Sequence, residues 1–296
     1  MHQRLIRRPP LVLLAGHVTL DRYGDLLEPG GTVTYAARTY LGLGARVRAA
    51  TAASDGFPGQ ALAGAEVSIA PAPRTTTFVN AYGPDGVRTQ RVEAAAPPLA
   101  PGAIPPAWHE ADVLHLAPVL GEVDLAAWVR STRARFVGIG VQGWVREVQP
   151  DGRVAQPRWE PEPGALRGVH AACLGEDDLR GQGDLLDRLV AAVPIVVFTH
   201  GEAGCDLILR GRTVRVGAFR TREVDPTGAG DVFSAGFFLG LAEGAGPEDA
   251  ARLGAGAASI VVEARAGEAL GRIAEARARA ERVPVPALRA AGVAGR

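Results

Sequence analysis

Residues 223–244 read EVDPTGAGDVFSAGFFLGLAEG, and this stretch decides how the rest of the chain is interpreted. Pro226 restricts the residue before it to an extended conformation, and the turn that follows carries almost no side-chain bulk. The apolar run 232–241 predicts a buried helix, which leaves the amides of Gly228, Ala229 and Gly230 unpaired. Because the helix dipole adds positive potential at this end, the stretch predicts an anion-binding site.

Asp231 lies in the first turn of this helix, where a carboxylate would repel a bound phosphate. Its presence is explained if it accepts a proton. Phosphoryl transfer needs amides around the transferred group and a nearby base for the proton of the acceptor hydroxyl. On the residues alone, the alternative is that Asp231 only stabilises the helix dipole, and both interpretations stay open at this point.

The composition limits the classes of protein to consider. The chain has 296 residues, of which 47% are hydrophobic and 22% charged, so we expect one α/β domain over 1–285 and a short tail over 286–296. The net charge is zero, which argues against a nucleic-acid partner or an acidic membrane surface. The absence of Lys excludes Schiff-base lysine chemistry and a Walker-type phosphate loop. Cys173 and Cys205 lie far apart, which suits the reducing cytoplasm, and no apolar run reaches the roughly 20 residues of a membrane helix.

Strand-like apolar runs alternate with helix-like stretches along the chain, which predicts a mostly parallel sheet with helices on its faces. The runs expected to form central strands are 11–15, 113–116, 136–141 and 195–198, and a helix is expected over 123–134. Two segments, about 17–35 and 72–93, break this pattern. In the second, alternating β-branched and aromatic residues flank the GPDG sequence at 83–86 and predict a β-hairpin. We expect these two segments to form a small β lid.

The stretch DPTGAGD at 225–231 resembles the C-terminal signature of the PfkB/ribokinase family of carbohydrate kinases. The resemblance implies a ribokinase-like three-layer α/β/α fold with a small β lid. It also implies ATP-dependent phosphoryl transfer to a small molecule, with Mg²⁺ as cofactor. In the family, the aspartate that matches Asp231 is the catalytic base, and the amides that match Gly228, Ala229 and Gly230 form the anion hole.

Two N-terminal motifs agree with this resemblance and concern the acceptor. Gly16 with Asp21 resembles the first-strand motif, whose aspartate binds substrate hydroxyls, and Gly30-Gly31 resembles the N-terminal Gly-Gly signature. Four residues after the second glycine the family usually has an Asn that contacts the sugar, whereas this chain has Tyr35. We expect the Tyr35 ring to stack on the apolar face of a cyclic polyol.

The nucleotide and cation sites are implied in the same way. THGEAG at 199–204 resembles the family's nucleotide-binding turn. Asp178 of CLGEDDL stands where the family has an acidic residue that holds Mg²⁺ through water, although Gly175 replaces the Asn of that motif. Asp225 would bind a monovalent cation such as K⁺, as in some members only. The residues expected to bind the nucleotide are Thr199, Gly201, Gly204, Thr227 and Asp178.

VQGWVR at 141–146 and VVFTHGEAGCDLILRG at 196–211 look most like the myo-inositol kinase branch of the family. Gln142 and Arg146 are therefore candidate pocket residues that donate hydrogen bonds to acceptor hydroxyls. Ribose, fructose, ketodeoxygluconate and nucleosides stay open as acceptors. A phosphorylated acceptor would need a cluster of basic side chains, for which the lid region offers Arg74, Arg88 and Arg91.

Two other classes of protein are alternatives to a kinase. A catalytically silent sugar- or nucleotide-binding protein could share the fold, but the presence of Asp231 argues against it. A dinucleotide-dependent oxidoreductase fits badly because Phe233 replaces the third glycine of its fingerprint. The sequence leaves open whether the protein is a monomer or a homodimer formed through the lid.

Overall fold

The first strand shows why the chain folds into layers. In a β-strand, successive side chains point to opposite faces of the sheet. Val12 and Leu14 pack into one buried cluster, whereas Leu13 and Ala15 pack into another on the opposite face. Both faces of this strand are covered, which explains why its sequence is apolar throughout.

The computed structural model describes residues 8–82 and 88–285, so the predicted turn at 83–86 and the tail 286–296 lie outside the described residues. The strands are β1 (Leu11–Ala15), β2 (Thr19–Tyr23), β3 (Leu26–Gly30), β4 (Arg46–Ala53), β5 (Glu66–Pro71), β6 (Thr76–Tyr82), β7 (Arg88–Ala94), β8 (Glu110–Leu116), β9 (Arg133–Gly140), β10 (Glu147–Val148), β11 (Val154–Ala155), β12 (Ala171–Gly175), β13 (Ile195–Thr199), β14 (Cys205–Leu209) and β15 (Arg212–Val216). The helices are α1 (Thr32–Gly42), α2 (Leu125–Ser131), α3 (Leu185–Ala192), α4 (Ala229–Ala242), α5 (Pro247–Val261) and α6 (Ala276–Ala280).

Nine strands form the main sheet in the order β15-β14-β13-β12-β9-β8-β1-β4-β5. Neighbours from β5 to β13 pair in parallel, and the hairpin β14-β15 closes the sheet with antiparallel pairs. Helices α1, α4 and α5 cover one face, while α2 and α3 cover the other. The predicted three-layer α/β/α fold with a mostly parallel sheet is therefore confirmed.

The helix expected over 123–134 is shorter than predicted. It ends at Ser131, and Thr132 already has extended backbone angles. The next residue, Arg133, begins β9 and lies opposite Glu110 of β8, so sheet pairing limits the helix at this end. Across the two described ranges, none of the helices combines the length and the apolar character that a membrane crossing requires.

Four strands form a second, smaller sheet in the order β3-β2-β6-β7, which we call the small sheet. β2 and β6 lie side by side in its centre and run parallel, and each continues into an antiparallel neighbour. The chain therefore passes between the two sheets four times, twice for each hairpin. The four strands fall almost entirely within the segments 17–35 and 72–93, where the sequence predicts a lid.

His17 ties several of these passages together. Its side chain is buried, with Nε2 3.0 Å from the carbonyl oxygen of Pro97 and Nδ1 2.9 Å from Oγ1 of Thr76. A carbonyl oxygen can only accept, so Nε2 donates to Pro97 and Nδ1 accepts from the Thr76 hydroxyl. The backbone N–H of His17 donates to Glu122 Oε1 at 2.8 Å. One imidazole thus links the segments before β2, at the start of β6 and after β7.

Candidate active site

A cavity of about 440 Å³ lies between the carboxyl ends of the parallel strands, the small sheet and the N-terminus of α4. Ligand sites of open α/β sheets occur at this end of the strands, because the loops that follow neighbouring strands meet there. All but three of the predicted site residues line the cavity. The thirteen that line it are Asp21, Gly31, Tyr35, Gln142, Arg146, Asp178, Thr199, Gly201, Thr227, Gly228, Ala229, Gly230 and Asp231.

Asp231 is held in the first turn of α4 by two different contacts. Its Oδ1 accepts a hydrogen bond from Thr32 Oγ1 at 2.8 Å, and its backbone carbonyl accepts one from Ser234 Oγ at 2.9 Å. Burial raises the pKa of Asp231 to about 6, and the nearby carboxylates of Asp178 and Asp21 add to this rise. The Thr32 hydrogen bond and the positive charge of Arg146 act in the opposite direction. This pKa suits a proton acceptor at neutral pH.

The turn before α4 is built on Gly228, which has φ 82° and ψ −1°. These are the angles of the third position of a type II turn, a position that strongly favours glycine. The turn is closed by a hydrogen bond from the Ala229 amide to the Pro226 carbonyl at 3.1 Å. The prediction that all three amides are unpaired is therefore wrong for Ala229. Within the described structure, the amides of Gly228 and Gly230 have no hydrogen-bond partner, so these two can bind an anion.

The Tyr35 ring is closely packed against neighbouring backbone segments. Only 3% of Tyr35 is exposed, although the residue lines the cavity wall. A Cβ atom added to Gly228 would lie 2.6 Å from the ring, and one added to Gly267 would lie 2.9 Å from it. The ring thus fills the space between two glycine backbones and also forms part of the cavity wall, so its stacking on the acceptor stays a prediction. Burial, followed by the charge of Asp21, raises the pKa of its phenol.

Three predicted site residues lie outside the cavity wall. Gly30 makes room for Asp21, because a Cβ at position 30 would lie 2.1 Å from Asp21 Oδ2. Gly204 has φ 92°, and a Cβ there would lie 2.2 Å from the Val216 carbonyl oxygen, so its glycine serves the turn into β14. Asp225 Oδ1 accepts a hydrogen bond from the Thr227 amide at 3.0 Å and thereby shapes the turn before α4.

Asp178 and Arg146 both line the cavity and interact electrostatically. Asp178 Oδ2 accepts a hydrogen bond from the Gly175 amide at 2.8 Å. Burial raises the pKa of Asp178, while this hydrogen bond and the charge of Arg146 lower it. The same guanidinium lowers the pKa of Asp231, so Arg146 stabilises two carboxylates of one cavity in their charged form.

The cavity also contains residues that the sequence analysis did not single out. Thr19 lies on β2 two residues before Asp21, and Phe78 pairs with Asp21 across β2 and β6. Thr19 Oγ1 is buried and has no hydrogen-bond partner among the described residues. Gln90 lines the cavity and donates to Asn80 Oδ1 at 3.2 Å. The period-2 alternation of the hairpin could have indicated which of its side chains share a face.

The acidic side chains of the cavity bear on metal binding. Glu176, Asp177 and Asp178 line it together with Asp21 and Asp231. Over the described ranges, no group of three or more His, Cys, Asp or Glu side chains is arranged to hold a metal ion by itself. Mg²⁺ keeps several waters and binds through one or two carboxylates plus substrate phosphates. The residues present therefore fit a magnesium ion that arrives with a nucleotide.

Residues 167–270 match the family model of the pfkB family carbohydrate kinases, and this range includes the 225–231 motif and α4. This match covers about a third of the chain. Inositol 3-kinase of Arabidopsis thaliana is 47% identical over 68 residues, which are 23% of this chain and 19% of that protein. The 5-dehydro-2-deoxygluconokinase of Listeria innocua serovar 6a is 39% identical over 90 residues, which are 29% of this chain and 28% of that protein. The chain thus spans less than a third of the length of either relative.

Solved structures with the same fold extend over most of the chain. A pyrophosphate-dependent kinase in the ribokinase family, complexed with a pyrophosphate analog and myo-inositol, has a TM-score of 0.72 at 22% identity and covers 85% of this chain and 95% of its own. Ribokinase of Arabidopsis thaliana, complexed with ribose and ATP, has a TM-score of 0.67 at 16% identity and covers 90% and 99%. At these identities the likeness establishes the ribokinase-like fold alone.

Proposed function

We propose that this protein is a kinase of the pfkB family and that it transfers the terminal phosphoryl group of ATP to a hydroxyl of an uncharged cyclic polyol, with myo-inositol as the first candidate. The observation that carries the proposal is the position of Asp231. Its carboxylate lies at the tip of α4, beside the amides of Gly228 and Gly230 and in the same cavity as Asp21. Phosphoryl transfer to an alcohol requires a base, an anion site and a group that binds the hydroxyls of the substrate, all within one cavity.

In this mechanism Asp21 binds and orients the acceptor by accepting hydrogen bonds from its hydroxyls. Asp231 then accepts the proton of the reacting hydroxyl as the oxygen attacks the transferred phosphoryl group. The amides of Gly228 and Gly230 donate hydrogen bonds to the oxygens of that group, where negative charge accumulates. With a pKa of about 6, Asp231 is mostly ionised at pH 7 and remains basic enough to take the proton.

The charges of the cavity favour an acceptor without phosphate. Among the described residues that line it, Arg146 is the one cationic side chain, against Asp21, Asp231 and the acidic residues 176–178. Arg74 pairs with Glu93, and neither Arg74 nor Arg91 lines the cavity. The side chain of Arg88 lies outside the described part of the structure. A phosphorylated acceptor beside Asp21 and Asp231 would be repelled, whereas a neutral polyol would not.

Two observations support a cyclic polyol in particular. Phe78 lines the cavity on the strand next to Asp21, so it can contact an apolar ring face while the carboxylate binds hydroxyls. Gln142 and Arg146 line the same cavity and can donate hydrogen bonds, as an acceptor made only of hydroxyls requires. The local identity to plant inositol 3-kinases agrees with this acceptor class.

For the donor we propose ATP, with Thr199, Gly201 and Thr227 along its phosphates. Asp178 would hold Mg²⁺ through water, and Asp225 would hold a monovalent cation such as K⁺ near the same turn. When bound, Mg²⁺ neutralises charge on the phosphates. The acidic residues 176–178 line the cavity, which supports this assignment.

We also propose that the protein acts in a reducing compartment such as the cytoplasm. Cys173 and Cys205 are both free and buried. Burial raises the pKa of both thiols, that of Cys205 to about 12, so neither is a reactive thiolate.

The test is turnover of the purified full chain with ATP and Mg²⁺ against separate acceptors: myo-inositol and its isomers, ribose, fructose, ketodeoxygluconate, a nucleoside and their phosphates. We expect ADP release and a new phosphomonoester signal in ³¹P NMR with an inositol. Asp231→Asn should lower the rate about 100-fold or more. Asp187→Asn, which removes an exposed carboxylate on α3, is the matched control and should retain the rate.

Each outcome addresses a separate part of the proposal. Turnover of a nucleoside or ribose, with inositols inert, would refute the acceptor assignment but leave the kinase. Equal rates for Asp231→Asn and the unchanged protein would remove Asp231 from the mechanism. If no acceptor is phosphorylated with either ATP or pyrophosphate as donor, the proposal that the protein is a kinase is refuted.

A further inference from the structure

Thr32 is the first residue of α1, and its hydroxyl makes an unusual contact for a helical threonine. Threonine side chains in helices often donate to the carbonyl four residues earlier. Thr34 and Thr39 of the same helix do so, since Thr34 Oγ1 donates to Gly30 O at 2.7 Å and Thr39 Oγ1 to Tyr35 O at 2.8 Å. Thr32 Oγ1 instead donates to the carboxylate of Asp231, at the start of another helix.

The contact joins two parts of the site that lie 199 residues apart in the sequence. Thr32 follows the last strand of the first hairpin of the small sheet, so its backbone is fixed by that sheet and by α1. Only 5% of the residue is exposed, and it lines the cavity together with Asp231. A buried hydroxyl with one acceptor in reach has little freedom to turn elsewhere.

We propose that Thr32 is a positioning residue for Asp231: its hydroxyl fixes Oδ1 of the carboxylate and thereby directs Oδ2 to the acceptor hydroxyl. This inference rests on the proposed function, in which Asp231 is the base. Among the described residues, no side chain donates a hydrogen bond to Oδ2. The oxygen that is not held by Thr32 is therefore the one that receives the proton.

The charges around Asp231 give the expected direction of a pH effect. Burial raises its pKa, the Thr32 hydrogen bond and Arg146 lower it, and Asp178 and Asp21 raise it. The hydrogen bond favours the ionised form because a carboxylate accepts more strongly than a carboxylic acid. Removing the hydroxyl should therefore raise the pKa of Asp231 and move the acid limb of the rate profile to higher pH.

The experiment compares Thr32→Val, which removes the hydroxyl at similar volume, with Thr32→Ser, which retains it. The kcat/KM for the best acceptor is measured from pH 5 to pH 9. We expect Thr32→Val to move the acid limb up by about one pH unit and to lower the rate at pH 7 roughly 10-fold, as the loss of a hydrogen bond to a charged group predicts. Thr32→Ser should keep both the acid limb and the rate at pH 7 close to those of the unchanged protein.

Thr39→Val is the matched control, because it removes a buried hydroxyl from the same helix that bonds only its own backbone. It should lower stability without moving the acid limb. If Thr32→Val does not fold, Thr32→Ala takes its place. An acid limb that is the same with and without the Thr32 hydroxyl would overturn the inference.

A second readout does not depend on activity. The titration of the Asp231 carboxyl is followed by ¹³C NMR in the unchanged protein and in Thr32→Val, with Asp231→Asn used to assign the signal. A higher midpoint in Thr32→Val supports the contact, and equal midpoints overturn it. If no acceptor is phosphorylated, the proposed function fails, while this titration still decides whether Thr32 controls Asp231.

Discussion

Asp231→Asn removes a charge whose burial costs folding free energy, so this variant should be more stable as well as less active. In the folded protein the pKa of Asp231 rises from 3.8 to about 6, mainly through burial. At roughly 1.4 kcal/mol per pKa unit, ionising this carboxyl in the folded state costs about 3 kcal/mol more than in the unfolded chain. An asparagine at this position carries no such cost and still accepts from Thr32 through its amide oxygen.

The effect has a defined dependence on pH. Because the folded-state pKa lies above the unfolded value, the folded protein binds the proton more tightly. This contribution to the free energy of unfolding is present at low pH and is lost as the pH rises from about 4 to about 6. The asparagine variant lacks this loss. The free energy of unfolding of Asp231→Asn should equal that of the unchanged protein at about pH 4 and exceed it by about 3 kcal/mol at pH 8.

The assay is urea unfolding at pH 4.5, 6 and 8, with the unchanged protein, Asp231→Asn and Asp187→Asn measured side by side. Asp187 is exposed, so its replacement should change stability by no more than a few tenths of a kcal/mol at any of these pH values. Curves for Asp231→Asn that run parallel to those of the unchanged protein would show that the Asp231 carboxylate is not desolvated. They would also refute the explanation of its pKa.

Three further substitutions test other parts of the structure. Gly228→Ala places a Cβ 2.6 Å from the Tyr35 ring at a φ of 82°, so thermal unfolding should show a loss of about 2 kcal/mol or more; an unchanged melting temperature would contradict the turn geometry. Glu263→Gln breaks the pair with buried Arg279 and should destabilise the protein by roughly 1–3 kcal/mol at pH 7. Because Arg279 lowers the Glu263 pKa from 4.5 to about 2, this difference should vanish in urea titrations as the pH falls through that interval. Thr19→Val should raise KM for the acceptor roughly 3- to 10-fold with little change in KM for ATP, and an unaltered acceptor KM would remove Thr19 from that subsite.

The chain order of strands and helices could be predicted because each signal is local. A continuous apolar run marks a strand that is buried on both faces, as in β1. Pro226 and Gly228 constrain their own backbone, so the turn before α4 could be located from the sequence. The same reasoning gave the position of Asp231 at the beginning of a helix, which the structure shares.

Contacts between distant segments could not be predicted in this way. The Tyr35 ring is confined by Gly228 and Gly267, which come next to it only after α4 and the segment Arg265–Glu275 pack against α1. The sequence shows an aromatic residue in a substrate motif and carries no local sign of this confinement. Likewise, nothing near position 32 indicates that its hydroxyl reaches a carboxylate 199 residues away.

Ala229 and Gly204 show a second limit, which concerns backbone hydrogen bonds. A helix start leaves several amides unpaired, but which of them a preceding turn uses depends on the φ and ψ angles of that turn. The left-handed Gly228 brings the Ala229 amide to Pro226 and so removes it from the anion site. Gly204 lies in a motif of nucleotide-binding type, yet its lack of a side chain is explained by the approach of the Val216 carbonyl.

The four backbone passages between the small sheet and the main domain restrict how the acceptor side of the cavity can open. A segment joined by one connection can rotate about it in many directions. Four backbone connections allow the small sheet much less freedom. Because β2 and β6 pair in the middle of the small sheet, we expect its two hairpins to move together. We therefore expect the small sheet to move over the cavity as one body with a small amplitude. Cleavage of the backbone at one hairpin turn would leave both strands of that hairpin attached to the main domain.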